Sequence, residues 1–164
     1  MYKVFVKPHR HGLKPLSGDI DKVFKEVHGV NIGDERIISF VEALWLCYKG
    51  IVEFYFENNR KADFNDIISL AEDKHLWIMF TVYIDLRNRG RKPYVNILNN
   101  TLSIMKGKEV IEIIVLEESS MLSLSELLLM IEGILSKGKN VVLGLVDKHG
   151  DVTYYQVART SIVK

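Results

Sequence analysis

The stretch "NVVLGLVDKHGDVTYYQVART", residues 140–160, decides the fold class. Its apolar core, "VVLGLV", is a continuous run that is typical of a central strand buried on both faces. "KHGD" supplies turn residues, and "VTYYQVART" alternates aromatic and polar residues like a last strand. Since neighbouring residues of a strand point to opposite faces, we expect one of Tyr154 and Tyr155 to be packed and the other to be available for an interface.

The residues before this stretch predict the remainder of a mixed sheet. "YVNIL", "TLSIM" and "EVIEIIVLE" alternate and are rich in β-branched residues, as strands are. "SLSELLLMIEGILSKGK" predicts a helix, with Ser123 and Glu126 at the spacing of a capping box. The C-terminal part is therefore predicted to be mixed α/β.

The first half of the chain predicts an α+β part. We expect strands at 2–7 and 51–59 and a loop at 8–19, where Pro and Gly recur. Apolar residues at helical spacing predict helices at 19–29, 34–50 and 63–90. The simplest division places one domain at 1–74 and a second at 75–164.

Composition limits the classes of function. The chain has 164 residues, a net charge of +1 and 48% hydrophobic residues, so it is not a protein that coats nucleic acid by bulk charge. No stretch reaches the roughly 20 apolar residues of a membrane span, and no apolar signal core is present in the first twelve residues. We expect a cytoplasmic location, no contact with membranes and no cofactor.

Four cations are concentrated in "TVYIDLRNRGRK", residues 81–92, where a predicted helix ends. Cations are favoured at that end of a helix by about 0.3–1 kcal/mol each. A local cationic patch also suits phosphate. We expect Arg87 to pair with Asp85 or another nearby acid. Stabilisation of the helix end and binding of phosphate both remain open as explanations of the four cations.

Three stretches in this order resemble the archaeal tRNA-splicing endonuclease family: "SFVEALWLCYKG", "VYIDLRNRGRK" and "VVLGLVDKHGDVTYY". The resemblance implies a small N-terminal α+β domain followed by a C-terminal mixed α/β nuclease-like domain. It also implies a four-unit enzyme that cuts precursor tRNA at bulge-helix-bulge intron junctions without a metal. Arg89, Arg91 and Lys92 are then candidates for contact with the RNA backbone.

The residues that the family uses for catalysis are Tyr, His and Lys. In "TLSIM" the tyrosine position is Met105, and in "VIEIIV" the histidine position is Val110. Lys139 matches the lysine, although a shift of one residue would put Asn140 there. Neither Met nor Val exchanges a proton, so the resemblance implies the structural, non-catalytic subunit of an α₂β₂ complex with a catalytic subunit.

The resemblance also assigns the last turn and strand to contacts between subunits. The acidic turn of such a subunit docks into a basic cleft of the catalytic subunit, whereas a turn rich in Asp and Gly for backbone reasons explains the same residues. The predicted interface residues are Asp147, His149, Gly150, Asp151, Tyr154 and Tyr155.

Two other functions stay open. A catalytic subunit with displaced residues would use Tyr94 and His149, and a free-standing RNA-binding scaffold would need no catalytic partner. No metal site is predicted, because the histidines lack Cys or carboxylate neighbours at the usual spacing.

Overall fold

The computed structural model describes residues 1–159, which form two sheets and five helices. The first part of the chain contains β1 (Tyr2–His9), β2 (Gly12–Gly18), α1 (Ile20–Glu26), β3 (Val30–Ile32), β4 (Glu35–Ser39), α2 (Phe40–Tyr48), β5 (Val52–Phe56), β6 (Lys61–Ala62) and α3 (Phe64–Ala71). The second part contains α4 (Leu76–Asn88), β7 (Tyr94–Asn96), β8 (Thr101–Lys106), β9 (Glu109–Glu117), α5 (Leu124–Leu135), β10 (Asn140–Val146) and β11 (Val152–Val157). The predicted mixed α+β fold class is confirmed.

The strand order is β3-β4-β2-β1-β5-β6 in the first sheet and β11-β10-β9-β8-β7 in the second. The pairs β1–β5 and β9–β10 are parallel, and the other pairs are antiparallel. A parallel pair needs a long crossover, and α5 provides it between β9 and β10. Among the described residues, no helix is long and apolar enough to cross a membrane.

β10 is the central strand that its apolar run predicts. Val142 packs into the large core that includes α4, and Val141 and Leu143 pack on the other face with residues of α5. Gly144 on the α4 face leaves room for Ile113 of β9, since a Cβ there would lie only 3.2 Å from the Ile113 side chain. The strand is therefore covered on both faces.

α4 joins the two sheets. It contacts α2 in the first part and β8, β9, β10 and β11 in the second, and its buried Phe80 and Tyr83 belong to one hydrophobic cluster with core residues of both sheets. The division into domains at residue 74 remains a prediction.

The loop predicted at 8–19 is wrong, because β2 pairs antiparallel with β1 there. Proline is tolerated in a strand where its missing N–H faces no partner strand. β4 pairs with β2 only at Gly12 and Leu13, and β5 pairs with β1 only as far as Val6. Within the β1–β2 pair, Pro15 therefore lies beyond the end of β4, and Pro8 lies beyond the end of β5.

Two predicted helices have different bounds in the structure. The helix predicted at 34–50 begins only at Phe40, because residues 35–39 form β4 and a capping box starts α2 at Ser39. The helix predicted at 63–90 is two helices, since Glu72 adopts a left-handed conformation with φ of 46°. The last residue of the predicted final strand, Thr160, lies outside the described residues.

Glu42 is completely buried and holds the connection between α1 and β3. Its Oε1 accepts hydrogen bonds from the backbone N–H groups of His28 (3.1 Å) and Gly29 (2.9 Å). Its Oε2 accepts from the N–H and the hydroxyl of Ser39 at 3.0 and 2.8 Å. Burial raises the pKa of Glu42, and these bonds oppose that rise. Both carboxyl oxygens are thus acceptors for fixed donors.

We predict that Glu42→Gln lowers the free energy of unfolding by about 1–3 kcal/mol, because the amide NH₂ group would face two donors in a buried site. Glu126→Gln is the matched control, since Glu126 makes the same capping box with Ser123 at an exposed position. We expect the control to lose less than about 0.5 kcal/mol. Chemical denaturation measures both values, and equal losses would contradict the assigned role of Glu42.

Candidate functional site

Met105 and Val110 face each other across the β8–β9 hairpin. They are paired in the antiparallel register, and a turn at Gly107 and Lys108 joins their strands. Met105 is 46% exposed, and Val110 is half-buried. The two side chains that the resemblance places at the tyrosine and histidine positions therefore lie side by side on one face of the sheet.

Lys139 forms an ion pair with Glu112 on the same sheet. Its Nζ lies 2.9 Å from Oε2 of the buried Glu112. The other oxygen, Oε1, accepts hydrogen bonds from Thr101 and from Asn96. Asn140 points elsewhere and donates to Glu109 at 3.4 Å. Lys139, and not Asn140, is therefore the residue that contacts the buried Glu112.

The ion pair borders a cavity of about 420 Å³ between β3 and the second sheet. Asn31 and His11 line it from the first part of the chain, and Asn96, Glu112 and Lys139 line it from the second. The carboxylate of Glu112 compensates the ammonium charge that Lys139 would otherwise offer to a phosphate. Chemically, this is a polar wall with little net charge.

Two cations of the 87–92 run cap the carboxyl end of α1. Arg87 donates from Nη1 to the carbonyl of Glu26 at 2.9 Å and lies 3.8 Å over the ring of Trp45. Lys92 donates from Nζ to the carbonyl of Lys25 at 2.8 Å. The predicted pairing of Arg87 with Asp85 is wrong, because the last carbonyls of a helix have no partners within it and bind Arg87 instead.

Arg89 and Arg91 have different surroundings. Arg89 pairs with Asp85 at 2.7 Å and lies 5.4 Å over the ring of Tyr154. Within residues 1–159, the exposed Arg91 side chain makes no hydrogen bond or ion pair. Of the three predicted RNA-binding residues, Arg91 is the one whose charge is free of intramolecular contacts in this part of the chain.

The turn between β10 and β11 is held by Asp147. Its Oδ1 accepts the backbone N–H groups of His149 (2.8 Å) and Asp151 (2.9 Å), and Gly150 has a φ of 84°. The bond from Asp151 is the main reason why the pKa of Asp147 is lowered. Asp147 therefore shapes the turn, whereas Lys148, His149 and Asp151 are exposed.

The two tyrosines of β11 lie on opposite faces, as predicted. Tyr154 packs against the large core and donates its hydroxyl to Asp85 of α4 at 2.7 Å, and burial raises its pKa. Tyr155 is 54% exposed. Of the pair, Tyr155 presents its ring to solvent.

Tyr94 and His149 do not meet. Tyr94 lies in β7 at one edge of the second sheet, and His149 follows β10, with β8 and β9 between them. Tyr94 instead stacks on His28 with ring centroids 3.5 Å apart and planes 9° apart. The displaced catalytic pair is therefore not assembled within one chain.

The sequence analysis misses two residues that organise the segment after α1, Glu42 and His28. Glu42 carries a readable signal, because Ser39 and Glu42 have the spacing of a capping box. His28 carries none, since its stacking on Tyr94 joins residues that are far apart in the chain. Among residues 1–159, no three His, Cys, Asp or Glu side chains are grouped closely enough to hold a metal ion.

Comparison with known proteins identifies the relatives of this chain, although no family model matches it. A tRNA-splicing endonuclease of Pyrococcus furiosus is 30% identical over 161 residues, which cover 88% of this chain and 94% of the relative. That of Pyrococcus horikoshii is 31% identical over 131 residues, 76% of each protein. That of Thermococcus kodakarensis is 28% identical over 140 residues, 81% of this chain and 83% of the relative.

These similarities extend over most of the chain. The chain belongs to the tRNA-splicing endonuclease family.

Proposed function

We propose that this chain is the structural, non-catalytic subunit of an archaeal tRNA-splicing endonuclease. It positions a catalytic subunit in an α₂β₂ complex and helps to bind precursor tRNA at bulge-helix-bulge intron junctions. The observation that carries the proposal is the pairing of Met105 with Val110 in the hairpin where the reactive side chains are expected.

The chemistry of RNA cleavage supports a non-catalytic role. Attack by a 2′-hydroxyl needs a base for its proton, an acid for the leaving oxygen and a cation near the phosphorus. A thioether and an isopropyl group supply neither acid nor base. The remaining cation, Lys139, is compensated by Glu112 at 2.9 Å. The roles of acid and base are thus unfilled at this place, and the one cation present is already paired with a carboxylate.

The acidic turn supports the proposed contact with the catalytic subunit. Asp147 fixes the backbone of the turn, which leaves the side chains of His149 and Asp151 exposed at its tip. A rigid exposed acid suits a basic cleft, because little conformational freedom is lost on docking. Tyr155, exposed on the neighbouring strand, extends the same surface.

The cationic run supports the proposed contact with RNA. Arg91 is exposed and uncompensated within the described residues, and the amine of Lys92 is bound to a carbonyl rather than to a carboxylate. Arg89 shares its charge with Asp85. We expect Arg91 and Lys92 to contribute more than Arg89 to binding of the RNA backbone, in a salt-sensitive and sequence-independent way.

We predict that the purified chain alone does not cleave a bulge-helix-bulge RNA, whereas its complex with the co-purified catalytic subunit does. The double change Glu112→Gln and Lys139→Gln in this chain should leave the cleavage rate of the complex within about twofold of the parent, since loss of a group that stabilises transition-state charge costs on the order of 100-fold or more. Single-turnover cleavage of labelled RNA measures both.

Cleavage by this chain alone would overturn the proposal. If Tyr94→Phe or His149→Ala then abolished that activity, the catalytic alternative would be correct. The free-standing scaffold alternative predicts a different result on purification from native extract. A chain without a catalytic partner would be purified as a single polypeptide.

We predict that Asp151→Asn weakens assembly with the catalytic subunit about tenfold, because a charge-assisted contact is lost. Asp34→Asn is the matched control, since Asp34 is an exposed acid in the β3–β4 turn, away from the proposed interface. Size-exclusion chromatography over a dilution series measures assembly. If both variants assembled with the catalytic subunit equally well, the Asp residues of the last turn would serve only to shape its backbone.

A further inference from the structure

A group of uncompensated cations surrounds the segment that follows α1. Arg36 donates from Nε at 2.9 Å, and also from Nη2, to the carbonyl of His28. Arg87 and Lys92 bind the carbonyls of Glu26 and Lys25. Within residues 1–159, none of these three cations pairs with a carboxylate, whereas Lys14, Lys22, Lys61 and Arg60 all do. Carbonyl partners hold the cations in place and leave their charge uncompensated.

The stacked pair of His28 and Tyr94 lies in the middle of these cations. Three contacts hold His28: its backbone N–H donates to Glu42, its carbonyl accepts from Arg36, and its ring Nε2 lies 3.1 Å from the carbonyl of Lys92. Tyr94 stacks on this fixed ring and remains 41% exposed. Because His28 covers one face of the phenol ring, a ligand can stack on Tyr94 only from the opposite face.

The charge around His28 is positive. Burial lowers the pKa of His28, a hydrogen bond to the Lys92 carbonyl opposes this, and Lys92, Arg36 and Arg87 lower the pKa further. The acids that face Lys92 are Glu26 and the fully buried Glu42. In a chain of net charge +1, this is a local concentration of positive charge next to an aromatic residue that is 41% exposed.

We propose that Tyr94, backed by His28, is a stacking platform for one unpaired nucleobase of RNA, and that Arg36 and Lys92 hold the phosphate next to that base. An aromatic face accepts any base, and neighbouring cations follow the backbone, which is how single strands are bound without sequence preference. His28 stacks on Tyr94, its carbonyl binds the guanidinium of Arg36, and its imidazole binds the backbone carbonyl of Lys92. The charges of Arg36 and Lys92 both act on His28, so the Tyr94 ring and the two cations surround one residue, at the scale of a single nucleotide. This inference rests on the proposed role in RNA binding and gives it a place on the surface.

The cations keep donors for a phosphate. Arg36 uses two of its five N–H groups on the His28 carbonyl, and Lys92 uses one of three on the Lys25 carbonyl. Both side chains are already ordered by these bonds, so their binding of phosphate costs less conformational entropy than that of a free surface lysine.

The test uses a single-stranded RNA of about twelve nucleotides that carries one 2-aminopurine, and a fully paired RNA hairpin of the same composition. We expect the parent chain to prefer the single strand and to quench 2-aminopurine fluorescence. Tyr94→Leu should weaken binding of the single strand about tenfold and abolish the quenching, while Tyr94→Phe keeps both. Tyr48→Leu is the matched control, because Tyr48 is an exposed tyrosine beside a cation, Lys49, elsewhere on the molecule.

Charge is tested separately with Arg36→Gln, which should weaken binding of the single strand and reduce the slope of log affinity against log salt by about one. Unchanged quenching in Tyr94→Leu, or equal losses in Tyr94→Leu and Tyr48→Leu, would overturn the inference. Should Tyr94→Leu fold poorly, as judged by its thermal melt, the Arg36→Gln slope decides. RNA cleavage by the reconstituted complex is measured in parallel. If the complex is active but this chain does not bind the single strand, the stacking platform is refuted and the proposed function stands.

Discussion

The hydrogen-bonding requirement of the segment after α1 is the constraint on which the arrangement of the two sheets depends. A helix ends with carbonyl groups that have no partner within it, and a buried connection must satisfy its N–H groups as well. Here the N–H groups of His28 and Gly29 bind Glu42 of α2, and the carbonyls nearby bind Arg36, Arg87 and Lys92. Arg87 lies in the last turn of α4, and Lys92 follows that helix. Their bonds therefore connect the segment after α1 to the helix that packs on the second sheet.

That constraint explains why a chain with almost no net charge has a concentrated cationic segment. Arg87 is partly buried over Trp45, and Lys92 reaches across to α1, so both are first of all parts of the junction. Because their partners are carbonyls, the positive charge remains available at the surface. One set of residues can therefore serve both explanations that the sequence leaves open, helix capping and phosphate binding.

The sequence predicts the second sheet better than the first, for reasons visible in single residues. The run at 141–146 is typical of a buried strand, and Tyr154 and Tyr155 separate onto two faces because a strand has a period of two. The first sheet is missed in part because Pro8 and Pro15 indicate a loop, and only the extents of β4 and β5 show that their missing N–H groups need no partner. At the candidate site, the sequence predicts the two strands that carry Met105 and Val110, and the structure adds their pairing. The Glu112–Lys139 pair and the His28–Tyr94 stack join distant segments and leave no local pattern to read.

The Glu112–Lys139 pair also bears on how a lysine at a family catalytic position is interpreted. Glu112 is buried on β9, and its two oxygens are bound by Asn96, Thr101 and Lys139. Removing Lys139 would leave the buried carboxylate of Glu112 without its cation, and an uncompensated buried charge is destabilising. The fold thus has its own need for a cation at residue 139, whether or not the chain cleaves RNA. A lysine at this position is therefore no evidence of catalysis by itself, and the argument about activity rests on the side chains at 105 and 110, where the fold needs no proton-transferring group.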